Sequence, residues 1–282
     1  MKKILSCIIA LCLLFAFSTA ALAATDPPGR QINSFSINEY DLLKGLSTKS
    51  NLDLFLKGYS AQEIGVIRNV KEEYARHLHE YKYLPEENLR DLGYSAQQID
   101  LIRDFTGSEA EIRAIAATLY FTLYTDYVTW SASQNRTNTR LCYEFEWNGV
   151  PLIKTKDIVA VTWNDWTING KLSTITYVHI YGSQPDQYGS ATFVPNDGPN
   201  SFGGGFKFAM TRDDNYYWAK SGIGIFTLYH NYERHDLSAY AEYGHSTVTL
   251  SPSFSIPGYG SISFSYGVSR AASDHADTEC SN

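Results

Sequence analysis

The feature that most constrains the fold is a change in the spacing of apolar residues near residue 132. Before this point apolar residues recur every three or four positions, and after it they alternate with polar residues. A period near 3.6 indicates helices, whereas a period of two indicates strands with one buried face. The sequence therefore predicts an α+β multidomain protein, with a small helical bundle over 24–132 and an antiparallel, jelly-roll-like β-sandwich over 133–282.

Helix start signals support the first half of this division. A Ser followed three positions later by Glu or Gln forms a capping box, in which both side chains bind backbone N–H groups of the first helical turn. Four such patterns precede apolar-periodic runs: Ser36-x-x-Glu39, Ser60-x-x-Glu63, Ser95-x-x-Gln98 and Ser108-x-x-Glu111. The nearly apolar run 114–124 is too short to cross a membrane, so we expect it to form a central helix covered by the others.

Two of the capping boxes belong to a two-copy repeat with the core GYSAQ. The segment 58–64 returns as 93–99, thirty-five positions later. The repeat predicts a glycine in a left-handed turn, a tyrosine packed in the corner and a serine that caps the next helix. Two copies are too few for a solenoid. We therefore expect a small bundle, and a protein partner for the repeat is the alternative.

Alternating residues and turn motifs support the second half. Apolar residues alternate with polar ones in 143–147, 206–210 and 261–268. Pairs such as Asn148-Gly149 and Asn169-Gly170 are typical of turns between strands. About nine short antiparallel strands are therefore expected.

The N-terminus predicts export. A short basic start precedes an apolar run over 4–17, and the small residues of 21–23 suit a signal peptidase. We therefore expect a signal peptide over 1–23, cleavage near Ala23, and a secreted or extracellular product, or a periplasmic one, of bacterial origin.

Charge and cysteine usage restrict the partners and the compartment. The whole chain carries a formal net charge of −7 and has no Lys/Arg cluster, which argues against nucleic acid or an anionic membrane as a partner. We also expect no stable membrane insertion after signal cleavage. Cleavage leaves Cys142 and Cys280, a pair that predicts a disulfide bond in an exported protein. Two free thiols are the alternative.

Catalytic and metal motifs are weak. The carboxylates that could serve a glycoside hydrolase are Glu144, Glu146, Glu233 and Asp165, but the first two share a strand rather than facing each other across a cleft. The histidine spacings match no standard zinc motif. We therefore expect no metal and no cofactor.

Aromatic residues next to polar loop residues are the most informative candidates for binding. Aromatic faces stack on sugar rings, while Asp supplies directional hydrogen bonds. The candidate set is Trp163, Asp165, Trp166, Tyr216, Tyr217 and Trp218. Packing of these rings in the core is the alternative interpretation.

Together these observations favour a non-enzymatic exported protein whose β-sandwich binds a glycan or cell-envelope polymer. Whether the protein is an enzyme stays open. The alternatives are a secreted polysaccharide hydrolase that uses paired carboxylates, and an adhesin or toxin-like protein.

Overall fold

The computed structural model describes residues 32–182, 184–196, 202–247, 252–258, 260–265 and 268–270. The predicted signal peptide and Cys280 lie outside these residues.

Helices occupy the N-terminal region of the described chain, and strands occupy the remainder. The helices are α1 (Glu39–Ser47), α2 (Asn51–Leu56), α3 (Ala61–Arg68), α4 (Val70–Tyr81), α5 (Glu86–Asp91), α6 (Ala96–Arg103) and α7 (Glu109–Ile115). The strands are β1 (Ile32–Asn38), β2 (Thr118–Ser131), β3 (Arg136–Asn148), β4 (Lys156–Trp163), β5 (Thr167–His179), β6 (Gln187–Gly189), β7 (Thr192–Pro195), β8 (Gly203–Ala209), β9 (Thr211–Arg212), β10 (Tyr217–His230), β11 (Ala239–Ser246), β12 (Phe254–Gly258), β13 (Ser261–Phe264) and β14 (Val268–Arg270).

Twelve of the described strands form two large antiparallel sheets whose inner faces meet, and β12 pairs with β13 in a separate two-stranded sheet. The first sheet has the order β1-β2-β3-β10-β5-β6, with β9 paired to β10, and the second has the order β14-β11-β4-β8-β7. Aromatic rings join the sheets: Phe145 of β3 stacks on Phe208 of β8 at 5.0 Å between ring centroids. Tyr143 lies 6.2 Å from Phe206 by the same measure. This arrangement is consistent with a sandwich, and the jelly-roll detail stays a prediction.

The helices are inserted between two paired strands. Asn38, at the end of β1, is paired with Thr118 at the start of β2. The N–H of Glu39 then donates to the carbonyl of Ala117 at 2.9 Å. The region 24–132 therefore contributes two strands to the first sheet, and the change from helix to strand falls after Ile115 rather than near residue 132.

Two expectations for this region are wrong. The run 114–124 is not a central helix, because β2 begins at Thr118, and β-branched and aromatic residues favour a strand there. Ser36 does not cap α1, because it lies within β1. Asn38 caps that helix instead, and its side chain accepts the N–H of Asp41. The capping boxes at Ser60, Ser95 and Ser108 are confirmed.

The predicted repeat is a structural repeat of three helices. Gly58 and Gly93 have φ values of 88° and 90°, a left-handed conformation that favours glycine. The two corner tyrosines, Tyr59 and Tyr94, are both buried. Arg68 donates to the carbonyls of residues 47 and 49, and Arg103 donates to those of residues 82 and 84, thirty-five positions later. Helices α1–α3 and α4–α6 therefore form two copies of one unit.

The two copies differ on the outer side of their short helices. Three apolar side chains of α2, each 65–68% exposed, occupy the positions that charged residues occupy in α5. The corresponding pairs are Leu52 and Glu87, Phe55 and Arg90, and Leu56 and Asp91.

A buried cluster of charged side chains joins α1 to the second sheet. His245 of β11 lies between two carboxylates, with Nδ1 3.0 Å from Asp157 Oδ1 and Nε2 3.4 Å from Glu39 Oε1. Glu39 also accepts the N–H groups of Leu152 and Ile153 at 2.7 and 3.0 Å. The three ionisable side chains are at most 2% exposed, so their charges are removed from water.

The carboxylates keep His245 protonated. Burial alone would lower the pKa of His245, but the charge and hydrogen bond of Asp157, together with Glu39, raise it to about 10. Burial likewise acts to raise the pKa of Glu39, yet the hydrogen bond and charge of His245 bring it below its ordinary value. The cluster therefore holds a cation between two anions.

Candidate functional site

An open cleft of about 640 Å³ lies where strands of both sheets meet. The first sheet contributes Tyr177, Gly189 and Arg212, the second contributes Lys156, Thr192, Lys207, Phe208 and Ala209, and Ser190 lies between β6 and β7. Among the described residues, three cations and no carboxylate line this cleft.

The alternating pattern of β8 places the lysines together. Phe208 is buried, whereas its neighbours Lys207 and Ala209 face away from the core. Lys156 is paired with Ala209, and Thr192 is paired with Lys207. Paired residues of adjacent strands share a face, so both ammonium groups belong to the same side of the second sheet.

Arg212 is held in a fixed position at the opposite wall. Its Nη1 donates to the carbonyl of Tyr188 at 3.1 Å, and its guanidinium carbon lies 4.9 Å from the centroid of the Tyr177 ring. A Cβ atom on Gly189 would lie 3.2 Å from both Arg212 Nη1 and Tyr177 Cε2, so glycine leaves room for this packing. Burial raises the pKa of Tyr177, and the Arg212 charge acts in the opposite direction.

A group of aromatic rings, here called the tyrosine patch, continues from Arg212. It consists of His179, Tyr181, Tyr216 and Tyr217. The His179 ring lies 5.8 Å from Tyr181, 6.3 Å from Tyr216 and 5.3 Å from Tyr217 between centroids. Tyr217 is paired with Arg212, so the patch and the cleft share one face of the strands. Tyr181 and Tyr216 are 46% and 56% exposed, which leaves their rings accessible.

A left-handed turn presents Tyr216. Asp213, Asp214 and Asn215 have φ values of 48°, 53° and 71°, which Asp and Asn tolerate better than other non-glycine residues. The side-chain amide of Gln187 donates to Asp213 at 2.8 Å and ties the turn to β6.

The structure separates the predicted aromatic candidates. Trp163, Trp166 and Trp218 are fully buried, so the prediction that they form an exposed platform is wrong. The Trp163 indole N–H donates to the Trp166 carbonyl at 2.9 Å, and the Trp166 indole N–H donates to the Asp236 carbonyl at 3.0 Å. These rings are part of the core, which is the alternative that the sequence left open.

Two other predicted residues are accessible. Tyr216 belongs to the tyrosine patch, with Tyr217 partly buried beside it. Asp165 is 66% exposed in its side chain, but it lies elsewhere, 3.5 Å from Arg234 and 3.8 Å from His230. Sequence reasoning missed His179 and Arg212, although Arg212 directly precedes the Asp213-Asp214-Asn215 turn.

The four candidate catalytic acids do not form one site. Glu144 accepts the Tyr124 hydroxyl at 2.5 Å on β3 and is paired with Ile223 of β10. Asp165 lies near His230, which follows Ile223 by seven residues on β10. Seven residues correspond to about 23 Å of strand, and this length separates the positions of Glu144 and Asp165. This separation exceeds the 10 Å or less between the carboxyl groups of a glycosidase pair.

The remaining two acids have local partners. Glu146 Oε1 lies 3.8 Å from Lys220 Nζ, and Glu233 Oε1 lies 3.2 Å from His235 Nε2.

Cys142 is buried on β3. Because Cys280 lies outside the described residues, the disulfide bond between them stays a prediction.

Within the described ranges, no three His, Cys, Asp or Glu side chains are grouped so that they could hold a metal ion. The helices described between residues 39 and 115 include none that is long and apolar enough to span a membrane.

Comparison with known proteins gives no family. No protein-family model matches the chain, and no curated protein sequence is similar to it. One similar solved structure comes from work on the pH-induced modulation of Streptococcus parasanguinis adhesion by Fap1 fimbriae. It has 12% sequence identity and a TM-score of 0.24, over 58% of this chain and 84% of that chain. At this TM-score the similarity carries no argument about the fold or function of this protein.

Proposed function

We propose that the protein is an exported, non-enzymatic binding protein that recognises a glycan or cell-envelope polymer with the cleft and the tyrosine patch. The observation that carries the proposal is the exposure of Tyr181 and Tyr216 beside an open cleft. Exposed rings stack on sugar faces, and an open cleft accommodates a chain that continues beyond the site at both ends.

The polar lining of the cleft supports this proposal. Ser190 and Thr192 offer hydroxyl groups that both donate and accept hydrogen bonds, which suits a polyhydroxyl ligand. A hydrolase would need two carboxylates across one cleft, whereas the described residues place none in the cleft lining.

The test is sedimentation of the exported protein with insoluble peptidoglycan, chitin, cellulose and xylan, with assay of both pelleted protein and released soluble sugar. We expect protein in at least one pellet and no released sugar. Replacing both exposed rings, Tyr181→Ala with Tyr216→Ala, should weaken binding about tenfold, because each stacked ring contributes roughly 0.5–1.5 kcal/mol.

The matched control is Tyr83→Ala, since Tyr83 is 84% exposed but lies in the helical region. It should bind as the wild type does. Released sugar would instead indicate a hydrolase, and unchanged binding by the double variant would contradict the assignment of the tyrosine patch.

A further inference from the structure

We propose that the polymer recognised at the cleft is acidic, with a carboxylate or sulfate group seated among Lys156, Lys207 and Arg212. This inference rests on the proposed function and specifies its ligand class.

The first argument is the local reversal of charge. The whole chain has a formal net charge of −7, yet the cleft has three basic side chains and no acidic one among its described lining residues. Basic side chains that line one cleft favour the binding of an anion there, because opposite charges attract. A cationic cleft on an acidic protein concentrates anions at that cleft.

The second argument is the orientation of Arg212. Its guanidinium has five N–H donors in a planar fork, and one of them is used by the Tyr188 carbonyl. The contact with the Tyr177 ring restricts its rotation. A pre-oriented guanidinium binds planar carboxylates and phosphates with paired hydrogen bonds, and less conformational entropy is lost on binding.

The third argument is the exposure of Lys156. Its side chain is exposed, and it makes no ion pair with any residue that the structure describes. A flexible ammonium of this kind adapts to anionic groups at variable positions along a polymer. The cleft therefore combines one fixed and one adaptable cation, with serine and threonine hydroxyls in the same lining.

The experiment compares three soluble probes: polygalacturonate for carboxylates, dextran sulfate for sulfates and dextran as the neutral chain. Binding of the exported protein is measured by isothermal titration calorimetry at about 50 mM and about 500 mM NaCl, because salt shortens the Debye length from beyond 10 Å to a few ångströms. We expect binding to at least one acidic probe, weaker binding at high salt, and much weaker binding to dextran.

The variants are Lys156→Gln, Arg212→Gln and the triple variant that adds Lys207→Gln. Loss of a charge-assisted contact should weaken binding of the acidic probe about tenfold for each single variant, and the triple variant should not bind detectably. Lys57→Gln is the matched control, because Lys57 is exposed in the helical region. If Arg212→Gln lowers the melting temperature strongly, Lys156→Gln alone decides, since that side chain is exposed.

The outcomes distinguish a failure of the inference from a failure of the proposed function. Binding of dextran or of a neutral insoluble glycan that depends on Tyr181 and Tyr216 but not on salt would overturn the inference and keep the proposed function. Acidic-probe binding reduced as much by Lys57→Gln as by Lys156→Gln would indicate diffuse charge and overturn the inference. Absence of binding to every probe and polysaccharide would overturn both.

Discussion

Replacement of His245 by Gln tests the buried charged cluster directly. Glutamine has a similar size and keeps hydrogen-bonding atoms, but it removes the positive charge between Glu39 and Asp157. Two carboxylates then remain buried without their cation. Loss of one partner from a buried ion pair costs about 3–5 kcal/mol, so we expect a decrease of that size in the free energy of unfolding near pH 6.

The raised pKa of His245 gives a second value for this stabilisation and predicts how the stabilisation changes with pH. Its value of about 10 in the folded protein compares with an ordinary value of 6.5. At about 1.4 kcal/mol per unit, this shift corresponds to roughly 5 kcal/mol as an upper bound. Because the folded pKa is raised, the stabilisation is fully present below pH 6.5, decreases as the pH rises, and is lost above pH 10. The difference between wild type and variant should shrink in the same range.

The assay is urea unfolding of both proteins at several pH values between 6 and 9.5. His235→Gln is the control, because this histidine pairs with Glu233 at the surface with 39% of its side chain exposed. Such a pair contributes about 1 kcal/mol or less. If His245→Gln does not fold, adding Glu39→Gln removes one unpaired carboxylate and should restore stability. A loss below about 1 kcal/mol at pH 6, or a loss that does not change with pH, would refute the reasoning.

Two further predictions concern packing and the repeat. Gly224→Ala should destabilise the protein by about 1–3 kcal/mol in urea unfolding, because its Cβ would lie 2.2 Å from Tyr143 Cε1. Gly45→Ala in α1, where a Cβ meets nothing within 4 Å, should instead stabilise by about 0.5–1 kcal/mol, and the opposite order would contradict the packing argument. Giving α2 the outer residues of α5 should leave the melting temperature within a few degrees of wild type and reduce retention on a hydrophobic-interaction column. Unfolding of that variant would show that the apolar residues support the fold. The substitutions are Leu52→Glu, Phe55→Arg and Leu56→Asp.

Local signals in the sequence predicted local structure well. Three capping boxes and the left-handed glycines of the repeat depend only on neighbouring residues, and the structure confirms them. The alternation of Phe145 and Trp147 with Glu144 and Glu146 is confirmed by their burial. These features need no knowledge of distant parts of the chain.

Features that depend on distant residues were not predictable in the same way. Asn169-Gly170 does not form a turn, because Asn169 is an extra residue in β5 where the pairing with β10 shifts register. The sequence did not decide whether the tryptophans are buried or exposed, since a ring next to polar residues can pack in a core or lie at a surface. The cleft draws on six strands and their connections, so no single sequence window contained its signal.

Because the helices are inserted between the paired strands β1 and β2, the helical part and the sheet are not two consecutive segments of the sequence. A truncation at residue 132, where the sequence periodicity changes, would remove both β1 and β2 together with the helices. The third strand would then become an edge, with unpaired backbone groups over 13 residues and with Tyr143, Phe145 and Trp147 on its inner face. Exposed apolar edges of this kind template aggregation. A deletion that leaves the sheet intact must therefore have two ends, one after Asn38 and one before Thr118. These two ends lie on neighbouring strands.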